Sequence, residues 1–346
     1  MSRQIQYPKA LQPGDVIGIT APSSGVEPSL HSMLHEARQS MERAGFHVVE
    51  GETIWKNFKC VSAPRTQRAE ELQQFLVRPD IHAIIPPWGG EFLMDILPLL
   101  DWEMLKEQQP KWVLGYSDIS TFTLVYTLLT GHATAHGPNY IDLRSNPLDE
   151  TSARWLDVLR TEPHQTVEQQ TSTFYQSAWN FDLPGLQLDT PTKWKILGQE
   201  QNPTAEAKVS GRLLGGCLDT LSILVGTRYA PVAEFSEKYC HDSGILWYLE
   251  SCDFDAAGMY RSLWQMKECG WFEHAKGILF GRPNNYRDTG DFGMQDALHA
   301  VFDELGIPVI YDIDCGHVPP QMTFVNGAYA DVFAASGHGQ MRMSFI

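Results

Sequence analysis

The 346 residues carry a formal charge of -16 with 43% hydrophobic and 20% charged side chains, an ordinary globular composition with length enough for two cores. That acidity argues against a nucleic-acid partner and against an anionic membrane surface, while leaving room for a local basic pocket. No stretch approaches the ~20 apolar residues of a spanning helix, and residues 1–8 hold no apolar signal core, so a cytoplasmic protein is expected.

In chain order, residues 16–20 predict a short buried strand running into the turn Ala21-Pro22-Ser23-Ser24-Gly25. Leu30, Met33, Leu34, Ala37, Met41 and Ala44 recur at helical spacing, and Gly45 ends that helix. A strand at 46–49, a helix marked by Ala69, Leu72, Phe75 and Leu76, and a strand at 82–87 follow. The last of these leads into Trp88-Gly89-Gly90 and a helix expected from Glu91 towards Leu97. The apolar run Trp112-Val113-Leu114 then meets Gly115-Tyr116-Ser117-Asp118, and a long apolar segment follows at 119–129. This reads as strand, tight turn and helix with Ser117 at the bend. A hydroxyl there stands at a helix N-terminus, where free N–H groups and the dipole favour an oxyanion. A plain Ser N-cap fits the same stretch.

A short strand at 133–137 and a capped helix at 149–159 close this half. Strands alternating with helices imply a parallel sheet, whose ligands bind beyond the strand C-termini. The turns at 22–25, 88–90 and 117 all lie there. From 161 to 199 the chain turns polar and reads as an interdomain connection carrying a loop, in which Trp179 and Lys193-Trp194-Lys195 stand out. A Trp between lysines suits a stacked ring beside an anion, and equally a ring packing the loop down.

The second half opens at 207–216, with a helix at 217–225, a strand at 245–249 ending in Glu250, a helix at 256–267 and a strand at 277–280. A helix ending near Leu305 and strands at 308–311, 324–334 and 341–346 complete a mixed α/β unit. The six cysteines, Cys60, Cys217, Cys240, Cys252, Cys269 and Cys315, include no C-x-x-C pair, which favours reduced thiols. H-E-x-x-H, Walker A and G-x-G-x-x-G patterns are absent, so no metal, P-loop or dinucleotide site is predicted.

Glu250 ends a strongly apolar strand, where a carboxylate needs a charged or donor partner. His317 sits in Gly316-His317-Val318-Pro319-Pro320, a loop fixed by glycine and prolines beyond another strand. A hydroxyl nucleophile needs a base, and the base an acceptor that sets its tautomer. Ser117, His317 and Glu250 supply those types, although a structural ion pair and a turn histidine would look the same in sequence.

Several stretches resemble the LD-carboxypeptidase family of serine peptidases, which includes microcin C immunity proteins of the MccF type. They are 11–16 with Ala21-Pro22-Ser23, Trp88-Gly89-Gly90, Gly115-Tyr116-Ser117-Asp118, His136-Gly137-Pro138, 211–216, Leu249-Glu250 and Gly316-His317, in the family's order over nearly the whole chain. The resemblance implies a flavodoxin-like parallel-sheet domain at 1–165 bearing the nucleophile and a connection with a substrate loop at 166–205. A mixed α/β domain of the swivelling β/β/α kind, bearing Glu and His, would then occupy 206–346. It implies Ser117 as nucleophile, His317 as base and Glu250 as its orienting partner, with the Asp118 and Gly90 amides as oxyanion hole and no metal or organic cofactor. Trp88, Gly89, Glu91 and Trp194 would contact substrate, Trp194 by stacking on a nucleobase.

Trp88 stands where muropeptide-cleaving members commonly carry an Arg able to clamp a carboxylate. The expected activity is therefore cleavage of an amide bond in an aminoacyl-nucleotide or related peptide conjugate. Muropeptide LD-carboxypeptidase action is the alternative, and a non-catalytic binder of anionic nucleotides or peptides the rival from another class. The resemblance also implies a homodimer.

Overall fold

In a computed structural model, which describes residues 4–178, 185–202 and 204–346, the first half builds a parallel sheet. Its strands β1 (Val16–Ile19), β2 (His47–Glu50), β3 (Ala83–Ile84) and β4 (Trp112–Val113) lie in the order β2-β1-β3-β4. β5 (Thr134–His136) continues it, because Leu114, just past β4, bridges Ala135 in parallel. The resulting order 2-1-3-4-5 is the flavodoxin-like one, with its ligand crevice at the strand C-termini.

α1 (His31–Arg43) buries Leu34, Ala37 and Met41 and ends before Gly45, whose φ of 92° closes the turn. α2 (Arg65–Val77) buries Ala69, Leu72, Phe75 and Leu76, and with them Arg68. Between β3 and α3 (Trp102–Lys106) the chain forms a 3-10 helix, Leu93–Leu99, rather than the α-helix expected from Glu91. Pro98 lies inside it and has no N–H to extend an α-helical ladder. The helix expected at 149–159 is split into Glu150–Ala153 and Trp155–Leu159, with Asp149 accepting from the Ser152 amide at 2.8 Å. α4 (Ile119–Thr130) is buried along nearly every face, as a helix between two layers must be.

The later strands are β6 (Thr166–Gln170), β7 (Phe174–Tyr175), β8 (Thr190–Pro191), β9 (Lys195–Ile196), β10 (Glu206–Cys217) and β11 (Ile245–Glu250). β12 (Ala275–Gly281), β13 (Val309–Ile313), β14 (Phe324–Asn326), β15 (Tyr329–Ala335) and β16 (His338–Ser344) complete the set. Eight of them form one mixed sheet in the order β6-β16-β15-β10-β11-β12-β13-β9, parallel from β10 to β13. The polar stretch expected as a connection thus supplies both edge strands, β6 and β9. Its inward residues hid the strand pattern: Gln169 is buried because its amide group bonds Thr323 N at 2.9 Å and Thr323 O at 2.7 Å.

β14 leaves this sheet and pairs antiparallel with β5, Phe324 opposite His136 and Asn326 opposite Thr134. The two halves therefore share a ladder beside the serine-bearing helix. All six cysteines are free thiols, and no described helix is long and apolar enough to cross a membrane.

Candidate active site

Ser117 sits between β4 and α4 with φ at 64°, the left-handed region that costs a non-glycine residue about 1–2 kcal/mol. The turn is held from below by Asn139, whose Oδ1 accepts from the Tyr116 amide at 3.2 Å. Gly89 lies directly against it: a Cβ there would stand 2.6 Å from Ser117 Oγ and 3.0 Å from Asp118 N. Among the described residues, neither the Asp118 amide nor the Gly90 amide donates a hydrogen bond. Free amides on the two turns that meet at Ser117 are donors of the type an oxyanion requires.

The side chains around these amides fix them in place. The Asp118 carboxylate is buried and accepts from Ser23 Oγ at 2.5 Å, Leu93 N at 2.9 Å and Thr121 Oγ1 at 3.2 Å. Burial raises its pKa, and those donors and Arg68 pull the other way. Arg68, 1% exposed, donates to Ala63 O at 3.0 Å and to Pro22 O and Phe92 O at 2.9 Å each, so one guanidinium ties both loops that flank Gly89-Gly90. Trp88 Nε1 donates to Gly25 O at 3.1 Å and braces the same turn. Glu91 is exposed at the rim, its carboxyl raised by partial burial and then by Asp118, Asp253 and Asp219.

Glu250 ends β11 fully buried, and its Oε2 meets His317 Nδ1 at 2.7 Å. Burial opposes its charge, but His317 outweighs that and the carboxyl is lowered. Burial likewise pulls His317 down, while Glu250 and the Cys252 thiol raise it well above the usual imidazole value. Gly316, at φ 93°, leaves Glu250 its space, since a Cβ there would collide with the carboxylate. The Tyr116 ring meets the His317 ring edge-on at 4.8 Å between centroids, so Ser117's neighbour in sequence touches the imidazole. Among the described residues no hydrogen bond joins Ser117 Oγ to His317.

Of the residues expected at the site, Ser117 and Asp118 share one turn, which the turn of Gly89 and Gly90 touches, and Glu250 and His317 pair beside Tyr116, with Trp88 and Glu91 on the glycine turn. Trp194 is not with them. It is 4% exposed, its Nε1 donates to Asp314 Oδ2 at 3.0 Å, and Gly339 lies flat on its ring, so it packs the mixed sheet. Its neighbour Lys195 pairs with Asp312 at 2.8 Å. Trp179 lies outside the described residues. Sequence reasoning missed Arg68, the Asp118 carboxylate and the thiols of Cys217 and Cys252, all placed by contacts distant in the chain. Beyond His317 a cavity of about 300 Å³ is lined by Tyr116, Asp142, Arg144, Gln176 and Gln321. Burial raises the Asp142 carboxyl to about 6.

A flavodoxin-like sheet presenting a serine turn, backed by a mixed sheet that delivers a buried His–Glu pair, has the layout of a two-domain α/β peptidase. The chain belongs to the LD-carboxypeptidase family, whose N-terminal domain matches residues 17–137 and whose C-terminal domain matches residues 210–332. It is 26% identical over 328 residues to the microcin C7 self-immunity protein MccF of Escherichia coli, covering 91% of this chain and 89% of that one. It is 24% identical to the murein tetrapeptide carboxypeptidase of Pseudomonas aeruginosa over 308 residues, 87% of each chain. The crystal structure of an MccF-like protein from Bacillus anthracis superposes with a TM-score of 0.83 at 22% identity, over 98% of this chain and 99% of that one. The structure of MccF in complex with glutamyl sulfamoyl guanosine gives 0.81 at 21% identity, over 97% and 98%.

Proposed function

We propose that this chain is an MccF-like serine hydrolase that cleaves an amide bond through an acyl-enzyme. Ser117 attacks the carbonyl carbon while His317 takes its proton, and Glu250 holds the imidazole and stabilises the imidazolium that forms. The tetrahedral oxyanion is received by the Asp118 and Gly90 amides, and His317 then returns the proton to the leaving nitrogen. Water repeats the sequence on the acyl-enzyme and releases the acid. The observation that carries this reading is the His317–Glu250 contact of 2.7 Å, buried and set against the residue next to Ser117.

The leading substrate is an aminoacyl-nucleotide or a related peptide conjugate. MccF, a relative along nearly the full length, has been captured with aminoacyl sulfamoyl nucleosides, and Trp88 here brings no cation to clamp a peptide carboxylate. The likeness to a murein tetrapeptide carboxypeptidase supports the L,D-amide of a muropeptide as second substrate. A fluorophosphonate probe is expected to label the wild type and not Ser117→Ala. Absence of labelling in folded wild type would favour a non-catalytic binder. Mass spectrometry of products from aspartyl sulfamoyl adenosine and from a muropeptide tetrapeptide separates the substrates, and cleavage of the muropeptide alone would overturn the first choice. The family likeness also supports a cytoplasmic homodimer, which light scattering and fractionation test.

A further inference from the structure

The His317–Glu250 pair has a third neighbour that hydrolysis does not use. Cys217 is the Cα partner of Glu250 in the parallel β10–β11 register, so the two side chains leave the sheet on the same face. One donor atom from each of Cys217, Glu250 and His317 lies within 4.8 Å of the others. Glu250 Oε2 is bonded to His317, while Oε1 is buried with no nitrogen or oxygen donor, which leaves the Cys217 thiol as the carboxylate's other donor. A thiol is a weak donor, so a cation held by all three groups would satisfy that oxygen better.

We propose that Cys217, Glu250 and His317 form a site for a zinc-class divalent cation that switches the hydrolase off. Thiolate, carboxylate and imidazole are the donor types zinc takes, in a tetrahedron with bonds of about 2.0–2.3 Å. Such bonds set donors about 3.3–3.8 Å apart, so the 2.7 Å His317–Glu250 contact opens by about 0.6–1.1 Å and the three donors, already within 4.8 Å of one another, settle into that range. Water takes the fourth position. On binding, the Cys217 thiol releases its proton to solvent, and the imidazole proton moves from Nδ1 to Nε2. The nitrogen left for Ser117 then carries its proton and cannot act as a base. The switching half of this proposal rests on the catalytic reading above; the binding half does not.

The test titrates the full chain with Co²⁺ as a spectroscopic stand-in for zinc and follows the sulfur-to-cobalt charge-transfer band. Wild type, Ser117→Ala and Cys252→Ala are expected to develop the band and lose it when Zn²⁺ is added. Cys217→Ala and the size-conserving Cys217→Ser, both checked for fold by circular dichroism, are expected to lack it. In parallel, Zn²⁺ inhibition should weaken by more than about 10-fold in each Cys217 variant, measured against that variant's own metal-free rate. No band in wild type, or a band that persists in both Cys217 variants or vanishes in Cys252→Ala, overturns the site. A Cys217-dependent band in a protein that cleaves no substrate would instead remove the catalytic reading and leave the site standing.

Discussion

Replacing Gly89 with alanine adds one methyl group at the point where the glycine turn touches the nucleophile. Its Cβ would stand 2.6 Å from both Ser117 Cβ and Ser117 Oγ and 3.0 Å from Asp118 N. Ordinary contact begins at 3.4 Å, so the turn or the serine must yield by 3.4 − 2.6 = 0.8 Å. Gly89 is not among the residues of positive φ, so alanine meets no backbone penalty and the fold should persist. A displacement near 1 Å in an attack geometry costs ~10²-fold, and a disturbed oxyanion donor adds to it. The expected loss in kcat/KM is therefore about 10²–10³-fold. The assay pairs steady-state kinetics with the rate of fluorophosphonate labelling and a thermal melt. A folded Gly89→Ala protein that labels and turns over at the wild-type rate would refute the placement of this turn against Ser117.

Glu250→Gln removes the charge that raises His317 and leaves burial to dominate, so the acidic limb of kcat/KM should move to lower pH while kcat falls by about 10⁴-fold. An unmoved limb would show that Glu250 does not set the imidazole. The same pair carries a stability signature. A raised His317 stabilises the fold below ~6.5 and loses that as pH rises through its folded value, and a lowered Glu250 stabilises above ~4.5. The cost of Glu250→Gln in urea unfolding should thus peak between about pH 4.5 and 6.5 and shrink above it. Asp142, raised from 3.8 to about 6, makes the folded chain hold a proton that the unfolded chain gives up, so stability falls as pH rises through that window. Asp142→Asn should cancel a loss of about 2 kcal/mol between pH 4 and pH 7, and parallel wild-type and variant profiles would rule this out. Arg68→Met should slow labelling of Ser117 by about 10–100-fold, because the carbonyls of Pro22 and Phe92 lose their shared donor; an unchanged rate would assign Arg68 to packing alone.

What could be read in the sequence follows from how local each signal is. The helices at 31–43 and 65–77 rest on periodicity within their own residues, and Ser117 on an apolar run broken by Gly115. Glu250 was legible because an acid ending an apolar strand demands a partner, and His317 because its loop is stiffened by glycine and proline. The edge strand at 166–170 was not, since its inward Gln169 is satisfied only by Thr323, far along the chain. Trp194 misled for the same reason. Its lysine neighbours suggested an anion site, whereas its burial is decided by Asp314, just past β13, and by Gly339 of β16. Cys217 could be matched to Glu250 only once β10 and β11 were in register.

The site joins residues from both halves, and its precision depends on how those halves are tied. Ser120, one helical turn beyond Ser117, accepts from the Cys217 amide at 3.0 Å, and Cys217 is paired with Glu250 across the sheet. Asn326 of β14 donates to Thr134 of β5 at 3.2 Å and accepts from the Gly215 amide and the Tyr248 hydroxyl at 3.0 and 2.8 Å. Each of these groups is buried, so breaking the junction would give up these bonds, at about 0.5–1.5 kcal/mol apiece. A hinge between the halves would have to break several at once. The helix that follows Ser117 and the strand that ends in Glu250 are therefore held in one hydrogen-bonded frame.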